Sequence, residues 1–265
     1  MPTLSQEPEL GEMLAPPLPS AALSSVLEEL RAPNVRSSAP TASSWSVSHI
    51  KRMVDCMIAS VLLAIVSPLM LIIAICVRLT SPGPALFVQH RVGQRGRLFR
   101  IYKFRTMAAV SSDTPGPGLT RDRDNRITGI GRWLRKLKLD ELPQLFNILL
   151  GDMSMVGPRP KLPQYHGITN MPYRPGITGP ATIAFRSEEQ ILSRVHPSEQ
   201  DEFYYAKIMP LKDRIDTRYM NRASFRSDLQ LIGVTIMSCL WPGGRIATFR
   251  IVSSSEKSYQ PEHLN

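Results

Sequence analysis

From Met53 to Val77 the chain runs MVDCMIASVLLAIVSPLMLIIAICV, an apolar stretch in which only Asp55 is charged, with Lys51 and Arg52 before it and Arg78 after it. As a helix rising about 1.5 Å per residue, roughly 25 such residues are long enough to cross the hydrocarbon core of a bilayer with some tilt. The competing assignment is a buried helix of a soluble core. Ser67-Pro68 falls in the middle. The proline removes one backbone donor and pushes the chain away from its ring, so a kink is expected, and the Ser67 hydroxyl can satisfy the freed carbonyl. Two structures follow: a kinked span, or a helix-break-helix that enters and leaves by one face. Bases at both ends favour the second, because a span sets one basic end against the positive-inside bias.

At 265 residues the chain can bury a single large core. Its formal charge of +10 is unevenly placed, since residues 1–50 carry Glu7, Glu9, Glu12, Glu28 and Glu29 against only Arg31 and Arg36. A basic body of this kind suits nucleic acid, anionic lipid or phosphorylated substrates. Cys56, Cys76 and Cys239 form no CxxC pair, which predicts a reducing compartment without disulfides. The histidines are scattered without ligand spacing, so no zinc site is expected. Residues 1–47, rich in Pro, Ser, Ala and Glu, are expected to be a disordered leader, and no cationic n-region marks a cleaved signal.

Beyond the breaker Thr80-Ser81-Pro82-Gly83-Pro84, residues 85–107 hold strand-like pieces. Alternation in Leu98 to Met107 would set Lys103 and Arg105 on one face, where they could grip a diphosphate or simply solvate a strand edge. Ser111 to Arg123 is expected to be a mobile loop. Ile127 to Leu139 has Ile130, Trp133, Leu134 and Leu137 at helical spacing among Arg132, Arg135, Lys136 and Lys138, which fits an amphipathic helix on an anionic membrane or on a core. Then comes Lys138-Leu139-Asp140-Glu141-Leu142-Pro143-Gln144-Leu145-Phe146-Asn147. Two adjacent carboxylates open an apolar segment, with a proline where a first helical turn tolerates it. They could supply a nucleophile or a metal ligand beside the donors of a helix start, or serve only as N-cap and first-turn charge. In Gly157-Pro158-Arg159-Pro160 the flanking prolines stiffen the backbone that presents Arg159, for a phosphate or for a structural ion pair. Arg174-Pro175-Gly176-Ile177-Thr178-Gly179 is a second arginine-bearing turn, and residues 188–213 and 224–240 are expected to be helical.

In order, Lys51-Arg52-Met53-Val54-Asp55, Ser67-Pro68, Ser81-Pro82-Gly83-Pro84, Gln89-His90-Arg91-Val92-Gly93, Lys103-Phe104-Arg105-Thr106-Met107, Arg126-Ile127-Thr128, Leu139-Asp140-Glu141-Leu142-Pro143-Gln144 and Gly151-Asp152-Met153-Ser154-Met155-Val156-Gly157-Pro158-Arg159-Pro160 resemble the bacterial sugar transferases that start polysaccharide assembly on a polyprenyl phosphate, the monotopic phosphoglycosyl transferases. The resemblance covers about Lys51 to Thr235. It implies a predominantly helical α+β fold: a re-entrant membrane helix broken at Ser67-Pro68 (residues 48–80), a catalytic domain at the cytoplasmic face of the inner membrane (81–242) and a C-terminal tail (243–265). It further implies that Asp140 attacks the β-phosphate of a UDP-sugar, releasing UMP, that Glu141 holds Mg²⁺, and that polyprenyl phosphate then takes the phosphosugar. Lys103, Arg105, Arg126, Arg159, Arg174 and Arg186 are the candidate phosphate- and substrate-binding cations.

One stretch departs from the family pattern. A Trp-x-Val-x-Gly-Arg type run is common after the Gly-Ile-Thr-Gly turn, but this chain has Pro180-Ala181-Thr182-Ile183-Ala184-Phe185-Arg186, so only Arg186 keeps its place. Membrane lipids are expected partners, nucleic acid is not, and a homodimer is compatible with the pattern. Two other classes are weighed against the enzyme. A membrane-tethered binding module explains charge and anchor but leaves the Asp140-Glu141 pair unused, and a non-catalytic partner in a polysaccharide assembly complex predicts no turnover.

Overall fold

The computed structural model describes residues 42–108, 126–163, 171–186, 188–192, 195–196 and 198–240. The expected loop at 111–123, the tail at 243–265 and most of the expected leader lie outside these. The leader's last residues do not behave as a leader. Ser43 N–H and Ser46 Oγ both donate to the Met220 carbonyl, and Trp45 Nε1 donates to Asp228 at 2.9 Å, so residues 43–46 are built into the fold.

Helix α1 spans His49–Thr80. Ser48 caps its start, its hydroxyl accepting from Lys51 N–H at 3.0 Å, and Ser81 ends it before the Pro82-Gly83-Pro84 breaker. The helix continues through Pro68 without interruption. The carbonyl deprived of its donor there is that of Ala64, and Ser67 Oγ donates to it at 3.1 Å, as the sequence predicts. Lys51, Asp55, Ala59, Ile73 and Val77 are buried, with Leu62, Leu63, Val66 and Met70 packed between them at three- and four-residue intervals. Both halves of α1 therefore rest on one folded body. The opposite face leaves Met57, Val61, Ile65, Ile72 and Ile75 exposed.

That body begins with an antiparallel hairpin, β1 (Leu86–Val92) and β2 (Leu98–Phe104), and continues with α2 (Gly129–Lys136), a 3₁₀ turn at Leu139–Glu141 and α3 (Gln144–Leu150). Two short parallel strands follow, β3 (Ser154–Val156) and β4 (Gly176–Thr178). Helices α4 (Pro180–Ala184), α5 (Glu188–Leu192), α6 (Gln200–Phe203), α7 (Met209–Met220) and α8 (Phe225–Leu240) complete the described chain, with a π-helical turn at Tyr204–Ile208 joining α6 to α7. The helical segment expected over 188–213 is thus divided. His196 lies outside any helix between α5 and α6, as expected of a residue that precedes a proline in the sequence. One core cluster gathers Ala59 of α1, Phe99 and Ile101 of β2, Leu145 and Ile148 of α3, Met155 and Val156 of β3 and Leu231 of α8; a second packs Ile73 and Val77 of α1 against Phe104 and Leu134.

Candidate active site

Thr128 caps α2, its hydroxyl accepting from Gly131 N–H at 3.0 Å, and the helix ends at Leu137. The chain then reverses through Lys138, whose φ of 58° is left-handed, a conformation that costs a non-glycine residue about 1 kcal/mol or more. That reversal delivers Asp140 and Glu141 as a tight turn ahead of α3 rather than as its first residues, and neither side chain caps a helix. Both carboxylates are buried, each 8 % exposed.

Their surroundings are unequal. Glu141 Oε1 accepts from Lys103 Nζ at 2.9 Å and from Arg159 Nη2 at 2.5 Å, while Oε2 is approached by Arg159 Nη1 at 3.4 Å. Burial opposes its ionisation, but Arg159, Lys103 and Lys138 outweigh burial and hold Glu141 well below the usual carboxylate range. Asp140 Oδ1 is buried with no hydrogen-bond partner. Burial, then the charge on Glu141, push Asp140 above its ordinary value, with Lys103, Lys138 and Arg135 pulling the other way. Adjacent carboxylates driven in opposite directions are a common signature of a site that assigns them different tasks.

Three contacts align the cations with this pair. Lys103 shares the inward face of β2 with the buried Phe99 and Ile101. Asn147, fully buried in α3, accepts from Tyr102 N–H at 3.1 Å and donates to the Arg100 carbonyl at 2.7 Å, joining the free edge of β2 to the helix that follows the dyad. Arg159 leaves the end of β3, where Gly157 N–H donates to Thr178 and Gly176 N–H to Pro158. Its guanidinium, although paired with Glu141, keeps 39 % exposure.

The expected pairing of Lys103 with Arg105 on one strand face does not form. β2 ends at Phe104, which turns inward against α1 and α2 and breaks the alternation. Arg105 instead donates to the Ser81 carbonyl at 2.8 Å and to its hydroxyl at 2.9 Å, clamping the exit of α1. Gly83 makes room for it: at φ 111° it already needs glycine, and a Cβ there would collide with Arg105 Nη1. Arg174 donates from Nε to the Gly151 carbonyl at 2.8 Å, and Arg52 donates to the Ile148 and Leu149 carbonyls. Both arginines thus satisfy the carbonyl end of α3, where a helix favours cations. Arg126 meets Ala108 through its backbone carbonyl, and Arg186 follows α4 within electrostatic reach of Cys239, as is Glu141.

Sequence reasoning passed over Asn147 and the buried cluster at the start of α1. Lys51 Nζ donates to Asp228 at 2.6 Å and lies 3.4 Å from Asp55, whose second oxygen accepts from Ser154 Oγ at 2.7 Å. A lone Asn among apolar helix residues was the available signal for the first; for the second, Lys51, Asp55 and Asp228 each fit the family pattern, but nothing in the sequence joins Asp228 to the other two across 177 residues.

The profile of the bacterial sugar transferase family matches residues 46–242. The exopolysaccharide production protein PSS of Rhizobium leguminosarum bv. phaseoli is 35 % identical over 208 residues, covering 73 % of this chain and 96 % of that protein. The UDP-N-acetylgalactosamine-undecaprenyl-phosphate N-acetylgalactosaminephosphotransferase of Aeromonas hydrophila is 41 % identical over 171 residues, 60 % of this chain and 40 % of that protein. The undecaprenyl-phosphate glucose phosphotransferase of Komagataeibacter xylinus is 41 % identical over 153 residues, 53 % of this chain and 29 % of that protein. The chain therefore spans well under half the length of these two transferases.

Proposed function

This chain belongs to the bacterial sugar transferase family, and from that membership we propose that it moves a sugar-1-phosphate from a UDP-sugar to polyprenyl phosphate. The observation that carries the reading is the unequal dyad: Glu141 ionised and locked between Lys103 and Arg159, Asp140 beside it with a bare, buried oxygen. A carboxylate oxygen without hydrogen-bond donors has no solvent shell to shed before it attacks. Asp140 bonds to the β-phosphorus, the bond from that phosphorus to the bridging oxygen breaks, and UMP leaves with that oxygen. An oxygen of polyprenyl phosphate then attacks the same phosphorus and the Asp140 oxygen–phosphorus bond breaks, restoring the carboxylate and giving polyprenyl-diphosphate-sugar. Lys103 and the half-open Arg159 face the charge that develops on the phosphoryl oxygens. A carboxylate oxygen suits Mg²⁺, and Glu141 Oε2, met by Arg159 Nη1 at 3.4 Å, keeps acceptor capacity. Glu141 would hold the ion, which when bound offsets phosphate charge.

The helix α1, continuous through Pro68, is read as a re-entrant anchor at the cytoplasmic face that bends at that proline instead of breaking there. It is long and apolar enough to cross a bilayer, yet residues near both of its ends are buried against one body, which supports entry and exit on the same side. Exposed Trp133 on α2 and exposed Phe146 and Leu150 on α3, the helices that precede and follow the dyad, support seating at the lipid interface. The test is UMP release from a panel of UDP-sugars by protein in nanodiscs with Mg²⁺, with and without undecaprenyl phosphate, beside Asp140→Asn. Release that disappears in the variant is expected. No release with any donor from folded wild-type protein would overturn the assignment.

A further inference from the structure

The segment Gln89-His90-Arg91-Val92-Gly93 has no part in the chemistry above, yet the hairpin register aims it there. Arg91 lies opposite Phe99, Gln89 opposite Ile101 and Phe87 opposite Lys103, so Arg91 and Gln89 share the face that presents Lys103 to Glu141. At its far end Arg91 meets the neighbour of Arg159, donating from Nη1 to the Pro160 carbonyl at 3.3 Å, while Nη2 donates to Gln89 Oε1 at 2.6 Å and the buried Nε has no partner. These acceptors are neutral, and among the described residues Arg91 has no ion pair. Burial, then repulsion by Arg159, push its guanidinium down to about 10. Other charges nearby are balanced: Glu141 takes Arg159 and Lys103, and Lys212 pairs with Glu188 at 2.6 Å while lying 5.6 Å from the Tyr204 ring centroid. The Tyr204 phenol, within electrostatic reach of Arg91 and Arg159, sits on the π-helical turn, a distortion frequent at functional sites.

We propose that Arg91 is a phosphate-binding residue of this site, its guanidinium, anchored on the carbonyl next to Arg159, taking an anionic phosphoryl oxygen of one of the two phosphorylated reactants. A half-buried arginine that feels the repulsion of a second guanidinium and holds only neutral hydrogen-bond acceptors is unfavourable until an anion arrives, and a phosphate supplies that anion in a matching fork geometry. The inference rests on the transferase reading for the identity of its ligands. Its test compares Arg91→Ala and Arg91→Lys with wild type in nanodiscs, reading UMP affinity by calorimetry and KM for donor and for undecaprenyl phosphate. His90→Ala, on the opposite exposed face, is the control. The alanine variant is expected to weaken one ligand by about 10- to 100-fold, with partial recovery in the lysine variant. Weaker UMP and donor binding assigns Arg91 to the nucleotide, and a change confined to undecaprenyl phosphate assigns it to the lipid acceptor. Affinities all within twofold of wild type overturn the proposal. Should both variants fail to fold, modification of wild-type Arg91 by phenylglyoxal, mapped by peptide mass, decides it. UMP or undecaprenyl phosphate must protect Arg91, and absence of protection by either is refuting. Wild-type protein that releases no UMP in the nanodisc assay would sink the transferase reading alone, because protection is read without turnover.

Discussion

Replacing Asn147 by Leu tests how the site is held in register. Leu has the same branched heavy-atom skeleton as Asn and is bulkier, so no cavity opens, but the Tyr102 N–H and the Arg100 carbonyl both lose their partner in a fully buried position. Each orphaned group costs about 1–3 kcal/mol, and the added apolar burial returns about 1–2 kcal/mol. At the middle of these ranges the net loss is about 2.5 kcal/mol, which for a folded body of this size lowers the melting temperature by about 5–10 °C. Differential scanning fluorimetry in detergent reads that shift. Because Asn147 joins the strand bearing Lys103 to the helix that follows Glu141, UMP release should fall as well, and by more than the unfolded fraction explains. A variant melting within about 2 °C of wild type with unchanged turnover would refute the claim that this side chain couples β2 to the dyad.

Two further perturbations probe the scaffold. A Cβ on Gly157 would lie 2.6 Å from the Arg174 carbonyl and 2.9 Å from Gly176 N, so Gly157→Ala should separate β3 from β4, cost about 1–3 kcal/mol and impair transfer by moving Arg159; an equally stable, equally active variant would show that the strands tolerate that spacing. Asp216, buried in α7 and accepting from Ala181 N–H at 3.0 Å, is pushed up to about 7, chiefly by burial. A raised carboxyl favours the folded state fully below its unfolded value and loses that advantage as pH rises to about 7. Stability should therefore fall between about pH 4 and 7 by up to roughly 4 kcal/mol from this group, and Asp216→Asn should flatten the slope in melting curves taken across that range. A variant with the wild-type slope would assign the pH dependence elsewhere.

What the sequence by itself determined was set within a few residues. The apolar run, its Ser48 start, its breaker and the Ser67 hydroxyl answering Pro68 all depend on neighbours no more than four positions away, and so does the inward alternation that reaches Lys103. The juxtaposed carboxylates of Asp140 and Glu141 belong here too, being consecutive residues. Partners were another matter. Nothing local says that strand β2 stops at Phe104 and so sends Arg105 to Ser81 while Lys103 goes to Glu141, nor that Arg174, a candidate substrate-binding cation on an arginine-bearing turn, ends on the Gly151 carbonyl that closes α3. Lys51 finds Asp228 from 177 residues away. Only the tertiary structure could decide such pairings, because the field at a buried charge is the sum over groups that folding gathers from distant segments, and one residue's change in a strand's end reverses which way every following side chain points.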